Sequence, residues 1–383
     1  MKKFLIVILF FVQYQLMQGQ NVWLQKASYP GISGSFSACF VMNNKAYVGG
    51  GVYTTSGDFY EYDYSSDTWT AMANIPSDKR KFKSFALGSY GYVVTSDSLF
   101  RYDIPADTWQ GMGVLPFSNA DNSKTAFSLN GKGYAVLGND STVWEYDAAA
   151  NAWTQKNNGP KAIADPASFI MQNKVYFVGG EIGSSHISDV WQYSPQTDQW
   201  VPKAGFPGYP RSGSAGFSIN DKGYLGLGIG VSCTNDFWEY NDTTDSWQQI
   251  DSIAETCNFG AVGFSIANSG FIVNGCEPFG GYLPYFGLWE YTKPSLVMNA
   301  NESNRYFKIY PNPASGYFVV SGPVKGLSQI VVAGTDGKIV WCKNSFTNDQ
   351  VIIDGSRFCS GLYNIIITGD NFVESEKIVI EKH

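Results

Sequence analysis

The feature that most constrains the fold of this chain is an aromatic pair, a tyrosine followed seven residues later by a tryptophan, that occurs five times. Successive tryptophans of these pairs are 40 to 47 residues apart, which fits a four-stranded sheet unit better than a helical hairpin. The 3.6-residue apolar period of helices is absent. The repeat therefore predicts an all-β chain of similar sheets. The pairs are Tyr62 and Trp69, Tyr102 and Trp109, Tyr146 and Trp153, Tyr193 and Trp200, and Tyr240 and Trp247.

Each repeat divides into four strands. The first is a run of small and apolar residues, such as residues 35–41, and an Asn/Gly turn such as Asn43 and Asn44 leads to a second strand that ends in glycine in most copies. The third strand alternates in polarity, as residues 58–62 do, and a turn carrying Asp or Asn precedes the tryptophan of the fourth. This order predicts one blade of a β-propeller for each repeat.

A sixth repeat lacks its last strand. It contains Phe271, Gly275 and residues 288–291, but no tryptophan follows Tyr291 at the expected distance. Trp23, near the start of the chain, stands 46 residues before Trp69, as one repeat requires. We therefore expect the segment around Trp23 to complete the sixth blade and to close a ring of six, which removes two open sheet edges.

The composition supports a folded all-β protein. Apolar residues make up 44% of the 383 residues, enough for large cores, while 41 glycines and only 15% charged residues suit short strands and tight turns. The net charge is −7, with Lys and Arg scattered singly, which argues against nucleic acid as a partner. No apolar run reaches the ~20 residues that a membrane-spanning helix needs.

The repeats resemble the Kelch family. The glycine pair, the tyrosine and the tryptophan stand in the family's order across residues 21–292, although the double glycine is complete only at Gly49 and Gly50 and at Gly179 and Gly180. The resemblance implies a six-bladed Kelch-type β-propeller over residues 20–292.

The first residues are typical of a signal peptide. Lys2 and Lys3 form a basic start, residues 4–12 are apolar, and a more polar stretch ends at Gly19. We expect residues 1–19 to direct export and to be removed.

The C-terminal segment has a pattern of its own. Residues 293–304 are mostly polar and read as a linker, and residues 305–383 predict a small β-sandwich. The segment is similar to the type A C-terminal sorting domain of the type IX secretion system in four motifs, residues 310–313, 336–338, 361–363 and 377–380. Residues 333–335 depart from the family's apolar strand. The resemblance implies that the type IX machinery is a partner, and that the protein is secreted from a Gram-negative bacterium or attached to its outer surface.

Candidate ligand-binding residues lie in loops on one predicted face. The loops after the second strands are long in blades 1, 4, 5 and 6, and in propellers they share a face with the connections between blades. Aromatic residues there stack on sugars or anchor proteins, or alternatively pack on neighbouring loops. The polar residues point to the channel mouth, or alternatively are solvated rim charges. The candidates are Arg80, Glu181, His186, Arg211, Phe279, Tyr282 and Tyr285.

Six cysteines enter an oxidising compartment if the chain is exported. Cys233, Cys257 and Cys276 fall on the same predicted face, and we expect one disulfide among them. Cys342 and Cys359 flank a strand pair of the terminal domain and form a second candidate disulfide. Cys39, inside a first strand, is expected to be a small buried residue.

The sequence contains no recognisable catalytic set. Only two histidines are present, which argues against a metal site, and no serine-hydrolase, metalloprotease or phosphate-binding motif occurs, so we expect no cofactor. The first hypothesis is a binding module for a glycan or protein ligand. The second is a sugar mutarotase or epimerase resembling the Kelch-type N-acetylneuraminate epimerases, with Glu181, His186, Arg80 and Arg211 as acid/base and carboxylate-binding groups.

Overall fold

A computed structural model describes residues 22–382 apart from residues 33, 53–56, 78–80, 118–123, 254–257, 278–282, 294–306, 323–326, 335–338, 345, 347–348 and 370–371. The chain separates after Lys293 into two compact units. The only helical segment of the described residues is a 3-10 turn at Gly355–Arg357. The fold is therefore all-β, as predicted.

The first unit consists of six four-stranded antiparallel sheets, blades 1 to 6, which confirms the predicted six-bladed propeller. We name the strands of a blade inner, second, third and outer. In that order they are Ala38–Met42, Lys45–Gly49, Phe59–Asp63 and Thr68–Met72 in blade 1; Lys83–Leu87, Tyr90–Val94, Ser98–Asp103 and Thr108–Val114 in blade 2; Lys124–Leu129, Lys132–Leu137, Val143–Asp147 and Ala152–Gln155 in blade 3; Ala167–Met171, Lys174–Val178, Val190–Ser194 and Gln199–Lys203 in blade 4; Ala215–Ile219, Lys222–Gly226, Phe237–Asn241 and Ser246–Ile250 in blade 5; and Val262–Ile266, Ser269–Val273, Leu288–Thr292 and Val22–Lys26 in blade 6.

Six hydrophobic clusters lie between the blades, one for each neighbouring pair. The cluster between blades 5 and 6 contains Trp23, Phe217 and Tyr291, and the cluster between blades 6 and 1 contains Tyr62 and Phe271. Six interfaces among six sheets mean that the ring is closed. Trp23 lies in the outer strand of blade 6, where it is paired with Tyr291 of the third strand.

The recurring aromatic pair forms a clamp between neighbouring blades. In blade 1 the Tyr62 hydroxyl donates to Asp67 Oδ1 at 2.8 Å, the Ala27 N–H donates to the same oxygen at 3.0 Å, and Trp69 Nε1 donates to the Ala27 carbonyl at 2.8 Å. Because Ala27 follows the outer strand of blade 6, each blade is tied to the one before it. The hydroxyl bond recurs as Tyr102–Asp107, Tyr146–Asn151, Tyr193–Asp198 and Tyr240–Asp245.

The acidic or amide residue of the clamp occupies a left-handed turn. Its φ lies between 47° and 53° in all five copies, a conformation that Asp and Asn tolerate better than other non-glycine residues. In blade 6 the Tyr291 hydroxyl is buried without a hydrogen-bond partner among the described residues. The corresponding position, Asn21, lies outside them.

The clamp is incomplete at the junction of blades 3 and 4. Trp200 Nε1 is buried and has no hydrogen-bond partner, and the same holds for Trp191 Nε1 of the same blade. Both indoles line a cavity of about 20 Å³ together with Leu137 and Phe177, which is room for about one water molecule. This junction is therefore packed differently from those of Trp23, Trp69, Trp109 and Trp247, whose indoles donate to backbone carbonyls.

The second unit is a β-sandwich with one core, in which Phe318, Ile330, Ile365 and Ile378 are fully buried. One sheet contains Lys308–Tyr310, Tyr317–Ser321 and Gln350–Asp354, and the other contains Ile339–Lys343, Leu327–Gly334, Gly361–Gly369 and Phe372–Ile380.

A short motif at the start of this unit holds its last strand. Asn312 Nδ2 donates to the Lys377 carbonyl at 2.8 Å, and the Val379 N–H donates to Asn312 Oδ1 at 3.0 Å. The side-chain amide of Asn312 thus pairs with the backbone of the last strand in the way that a neighbouring strand would. Ala333 and Gly334, which depart from the apolar pattern of the sorting-domain family, lie in the strand Leu327–Gly334, and this strand contains a bulge after Val332. Residues 336–338 lie outside the described residues.

Candidate functional site

The connections that enter the inner strands and the loops that leave the second strands lie on one side of the ring, the looped face. In four blades a residue just before the inner strand forms a β-bridge with a residue just after the second strand. These bridges are Ser35 to Val52, Ala164 to Glu181, Ser212 to Ile229 and Phe259 to Cys276, in blades 1, 4, 5 and 6.

Loop length divides this face into two parts. The second and third strands are separated by residues 50–58 in blade 1, 179–189 in blade 4, 227–236 in blade 5 and 274–287 in blade 6, but only by residues 95–97 in blade 2 and 138–142 in blade 3. We call blades 4, 5, 6 and 1 the long-loop half and blades 2 and 3 the short-loop half.

Backbone hydrogen bonds link the long-loop half at the centre of the ring. The Phe36 N–H donates to Gly260 O at 2.7 Å, the Gly260 N–H to Gly213 O at 2.9 Å, and the Gly213 N–H to Asp165 O at 3.0 Å. Gly213 has a φ of 62°, and a Cβ there would overlap the Phe259 ring, so glycine is required. These residues precede the inner strands of blades 1, 6, 5 and 4, and the ring centre is therefore bridged on that side.

The short-loop half contributes lysines at the same level. Lys81 and Lys83 come from the start of blade 2, and their Nζ atoms lie 4.8 Å and 5.1 Å from the centroid of the Phe36 ring. Lys81 Nζ lies 3.1 Å from Asp165 Oδ2. The Asp165 side chain is 7% exposed, and its Oδ1 is buried without a hydrogen-bond partner. We call Lys81, Lys83, Lys124 and Asp165 the lysine cluster.

Lys124, the first residue of the inner strand of blade 3, is the most buried member of the cluster, with 1% of its surface exposed. Burial, and after it the charges of Lys83 and Lys81, lower the pKa of Lys124 to about 7, although Asp165 and Asp97 oppose the shift. Burial also lowers the pKa of Lys83, against the effect of Asp165. The cluster is thus a crowded, partly desolvated group of amines.

Comparisons with known proteins agree with this architecture. Residues 308–381 match the family model described as "Secretion system C-terminal sorting domain", and residues 163–207 match the Kelch motif. A solved structure titled "Structure of YjhT" aligns with 70% of this chain and 97% of its own, at a TM-score of 0.61 and 15% identity, which establishes similarity of fold. None of the curated proteins matches the sequence.

The chain combines a six-bladed propeller, which contains a Kelch motif, with a C-terminal sorting domain of the type IX secretion system. The sorting domain makes it a protein that is secreted or held on the outer surface of a Gram-negative bacterium, and it implies an interaction with the secretion machinery. Within the described ranges, no helix has the length and apolar character to cross a membrane.

Two of the predicted polar residues of the propeller are neighbours. Glu181 and His186 face each other across the hairpin of Glu181–Ile182 and Ser185–His186, with Oε2 and Nε2 3.8 Å apart and both side chains partly exposed. The Glu181 backbone forms two hydrogen bonds with Ala164, the residue before Asp165. The hairpin therefore adjoins the lysine cluster.

Arg211 lies in a different environment from the one predicted. Its side chain is 1% exposed and forms an ion pair with Asp236, while further bonds join it to Thr234 Oγ1 at 2.6 Å and Tyr209 O at 2.9 Å. Burial alone would raise the pKa of Asp236, but hydrogen bonds from Arg211 and Trp238 hold it below the ordinary value. This geometry makes Arg211 a support for the blade 5 loop and leaves no exposed donor for a ligand.

Of the remaining predicted site residues, only Tyr285 lies within the described part of the chain. Tyr285 is half-buried, and its N–H donates to Gly275 O at 3.0 Å. Arg80, Phe279 and Tyr282 lie outside the described residues.

Sequence reasoning missed the lysine cluster and, apart from Phe286 of the blade 6 loop, the exposed apolar residues of the long-loop half. Lysines at the first position of two inner strands, where three other repeats have alanine, were the available signal for the first. The exposed apolar residues on this face are Ile32, Ile182, Tyr209, Val231 and Phe286.

One disulfide was expected among Cys233, Cys257 and Cys276, and the structure describes two of these cysteines. Cys233 is disulfide-bonded, whereas Cys276 is a buried free thiol and Cys257 lies outside the described residues. Cys39 is also free.

The predicted disulfide between Cys342 and Cys359 is wrong, because the structure joins neither of these exposed cysteines in a disulfide. Cys342 lies on Ile339–Lys343, and the strand Leu327–Gly334 separates this strand from Gly361–Gly369, which Cys359 precedes. Two strand spacings of ~4.8 Å exceed the ~7 Å limit between the Cα atoms of a disulfide.

Proposed function

We propose that this protein is a secreted or cell-surface binding module whose looped face recognises a glycan or protein ligand. The observation that carries the proposal is the lysine cluster at the ring centre, next to long loops that expose apolar side chains. A concave site with a few convergent polar groups and an apolar rim is the usual form of a ligand site.

The two halves of the face supply complementary contacts. The short-loop half provides Lys81 and Lys83, whose side chains are partly exposed, and the loops opposite provide Tyr209, with 72% of its surface exposed, and Phe286, with 41%. Aromatic rings bind sugar faces or anchor protein partners, while ammonium groups bind acidic or hydroxyl oxygens. These lysines and aromatic residues support ligand binding, and binding needs no catalytic group.

An enzyme is the second candidate, and the pairing of Glu181 with His186 favours it. Mutarotation or epimerisation of a sugar needs an acid and a base within hydrogen-bond reach of the reacting atoms. Glu181 and His186, 3.8 Å apart and partly exposed beside the lysine cluster, are two groups of the kind this chemistry uses.

Purified full-length protein on a glycan array, together with an NMR assay of anomer interconversion in sialic acids, tests the two candidates. We expect array binding that Lys83→Met abolishes and that Lys132→Met leaves intact. Lys132 is a matched control because it pairs with Asp147 at 2.7 Å at the start of a second strand, away from the looped face. Interconversion lost on Glu181→Ala would instead establish the enzyme, and an array without signal would reject glycan recognition.

A further inference from the structure

The outer face of the three-stranded sheet of the terminal unit departs from the usual pattern of a β-sandwich. Such a face normally carries polar side chains, because only the inner face packs against the core. In this sheet Phe318 and Ile353 point inward and are fully buried. The alternate positions, however, include Tyr310, Tyr317 and Ile352, which are 43%, 64% and 68% exposed. Three large apolar side chains therefore face solvent on this sheet.

The strand register brings these side chains together. Tyr310 lies opposite Val319 of the central strand, and Val319 lies opposite Ile352 of the third strand. Side chains at opposite positions of antiparallel strands have Cβ atoms ~5 Å apart, so these three form one row across the sheet. Tyr317 adjoins the row, because it stands two residues before Val319 on the same face. We call Tyr310, Tyr317, Val319 and Ile352 the apolar patch.

The apolar patch has a polar border. Lys308, Ser321 and Gln350 lie opposite one another in the next row of the same face, and Asp354 borders the patch at its other end. Gln350 Nε2 donates to the Tyr310 hydroxyl at 3.2 Å, so a border residue holds one of the exposed rings. An apolar centre within a polar rim is the usual composition of a protein–protein interface.

The size of the apolar patch indicates a transient partner. The exposed parts of its tyrosines and Ile352 amount to roughly 350 Å², within the ~300–600 Å² of the largest apolar patch on a typical monomer, which is often functional. Two copies joined through the patch alone would bury about 700 Å² in all, below the ~1,200 Å² of a stable interface. A partner that binds and then releases the unit fits this area better than a second copy of the chain does.

We propose that the apolar patch is the surface by which the type IX secretion machinery binds the terminal unit. The match to the sorting-domain family implies this partner and does not say which residues it contacts. A machinery that exports one molecule after another needs a reversible contact. The matching surface is an apolar groove that receives the two tyrosine rings and Ile352, with an acidic group facing Lys308 and a donor facing Asp354.

Export of full-length variants by a bacterium with a type IX system tests this inference. Tyr317→Lys and Ile352→Lys place a charge in the patch, and each should lower the exported fraction about tenfold, as the loss of a central interface contact does. Val340→Lys is the matched control, because Val340 is 39% exposed and lies in the other sheet, and it should be exported normally. Urea denaturation of the purified full-length variants checks that all are equally well folded.

Photo-crosslinking decides if a lysine variant proves unstable. The full-length chain carries p-benzoylphenylalanine in place of Tyr317 or, as the control, of Val340. Cells are irradiated during export, and the adducts are identified by mass spectrometry. We expect an adduct with a component of the secretion machinery from the first chain and none from the second.

Export of both lysine variants at the level of the unaltered protein would overturn the inference. Equal losses in Val340→Lys would overturn it as well, because the patch would then have no special role. The same holds if the probe at Tyr317 reacts only with a second copy of the chain, with the chain's own propeller, or with nothing. None of these results bears on ligand binding by the looped face.

Discussion

The two halves of the looped face hold buried cations in opposite ways. In the long-loop half, Arg211 is 1% exposed and lies against Asp236, Thr234 and backbone carbonyls. In the short-loop half, Lys124 is equally buried, and the charges of Lys83 and Lys81 add to the effect of burial in lowering its pKa. The difference teaches that the blade scaffold tolerates both arrangements: Arg211 supports a loop of the long-loop half through its ion pair, whereas the short-loop half keeps several amines near one another.

The largest effect is expected from removing the paired cation. Arg211→Met leaves Asp236 without its partner in a site where the carboxylate is only 20% exposed. Breaking such a pair costs ~3–5 kcal/mol of unfolding free energy, measured by urea denaturation. Lys161→Met, which removes an exposed ion pair with Asp189, is the matched control and should cost at most ~1 kcal/mol. Equal losses would contradict the contrast between buried and exposed pairs.

Removing the crowded cation should act in the other direction. The pKa of Lys124 falls from 10.5 to about 7 on folding, so below pH 7 the folded protein holds a charge that its site disfavours. Lys124→Met is therefore expected to be more stable than the unaltered protein at pH 6, by ~2–4 kcal/mol.

The pH dependence supplies the check on that variant. Between about pH 7 and pH 10.5 the unfolded chain binds a proton that the folded chain has lost, so the stability of the unaltered protein rises with pH in this window. The gap to Lys124→Met should narrow from pH 6 to pH 9.5 in thermal denaturation. A gap that stays constant would mean that Lys124 keeps an ordinary pKa.

A smaller effect should separate a blade junction inside the long-loop half from the junction of blades 3 and 4, where the two halves meet. Trp69→Phe loses the 2.8 Å bond from Nε1 to Ala27 O, whereas Trp200→Phe loses an N–H that is buried without a partner. We expect the first change to cost ~1–2 kcal/mol more than the second in urea denaturation, since the rings lose similar packing. Similar costs would indicate that a bound water pairs Trp200 Nε1 in solution.

Most of the fold could be predicted from the sequence because the same strand pattern recurs in every repeat. The tyrosine, the acidic turn residue and the tryptophan lie within eight residues of one another, and their clamp is local enough to leave a period in the sequence. The two sheets of the terminal unit followed from strand spacing and family motifs. Even there, the order of strands that separates Cys342 from Cys359 was not evident, so the proposed disulfide failed.

The site was harder to predict because its members are distant in the sequence and unlike one another. Lys81 and Asp165 precede the inner strands of blades 2 and 4, Lys124 begins the inner strand of blade 3, and only the packing of these blades side by side brings them together. Arg211 was predicted to contact a ligand because it precedes an inner strand. Its guanidinium instead turns toward Asp236, which follows 25 residues later in the sequence, and the loop conformation that brings the two together could not be predicted. Glu181 and His186 could be foreseen as neighbours because five residues and one hairpin separate them.

A crystal structure of the full-length protein with the tightest ligand from the glycan array tests the central claim most directly. The account predicts the ligand on the looped face, in contact with Lys81 or Lys83 and with the exposed apolar side chains of the long loops. A ligand bound on the opposite face of the ring, or one confined to the outer strands, would contradict it.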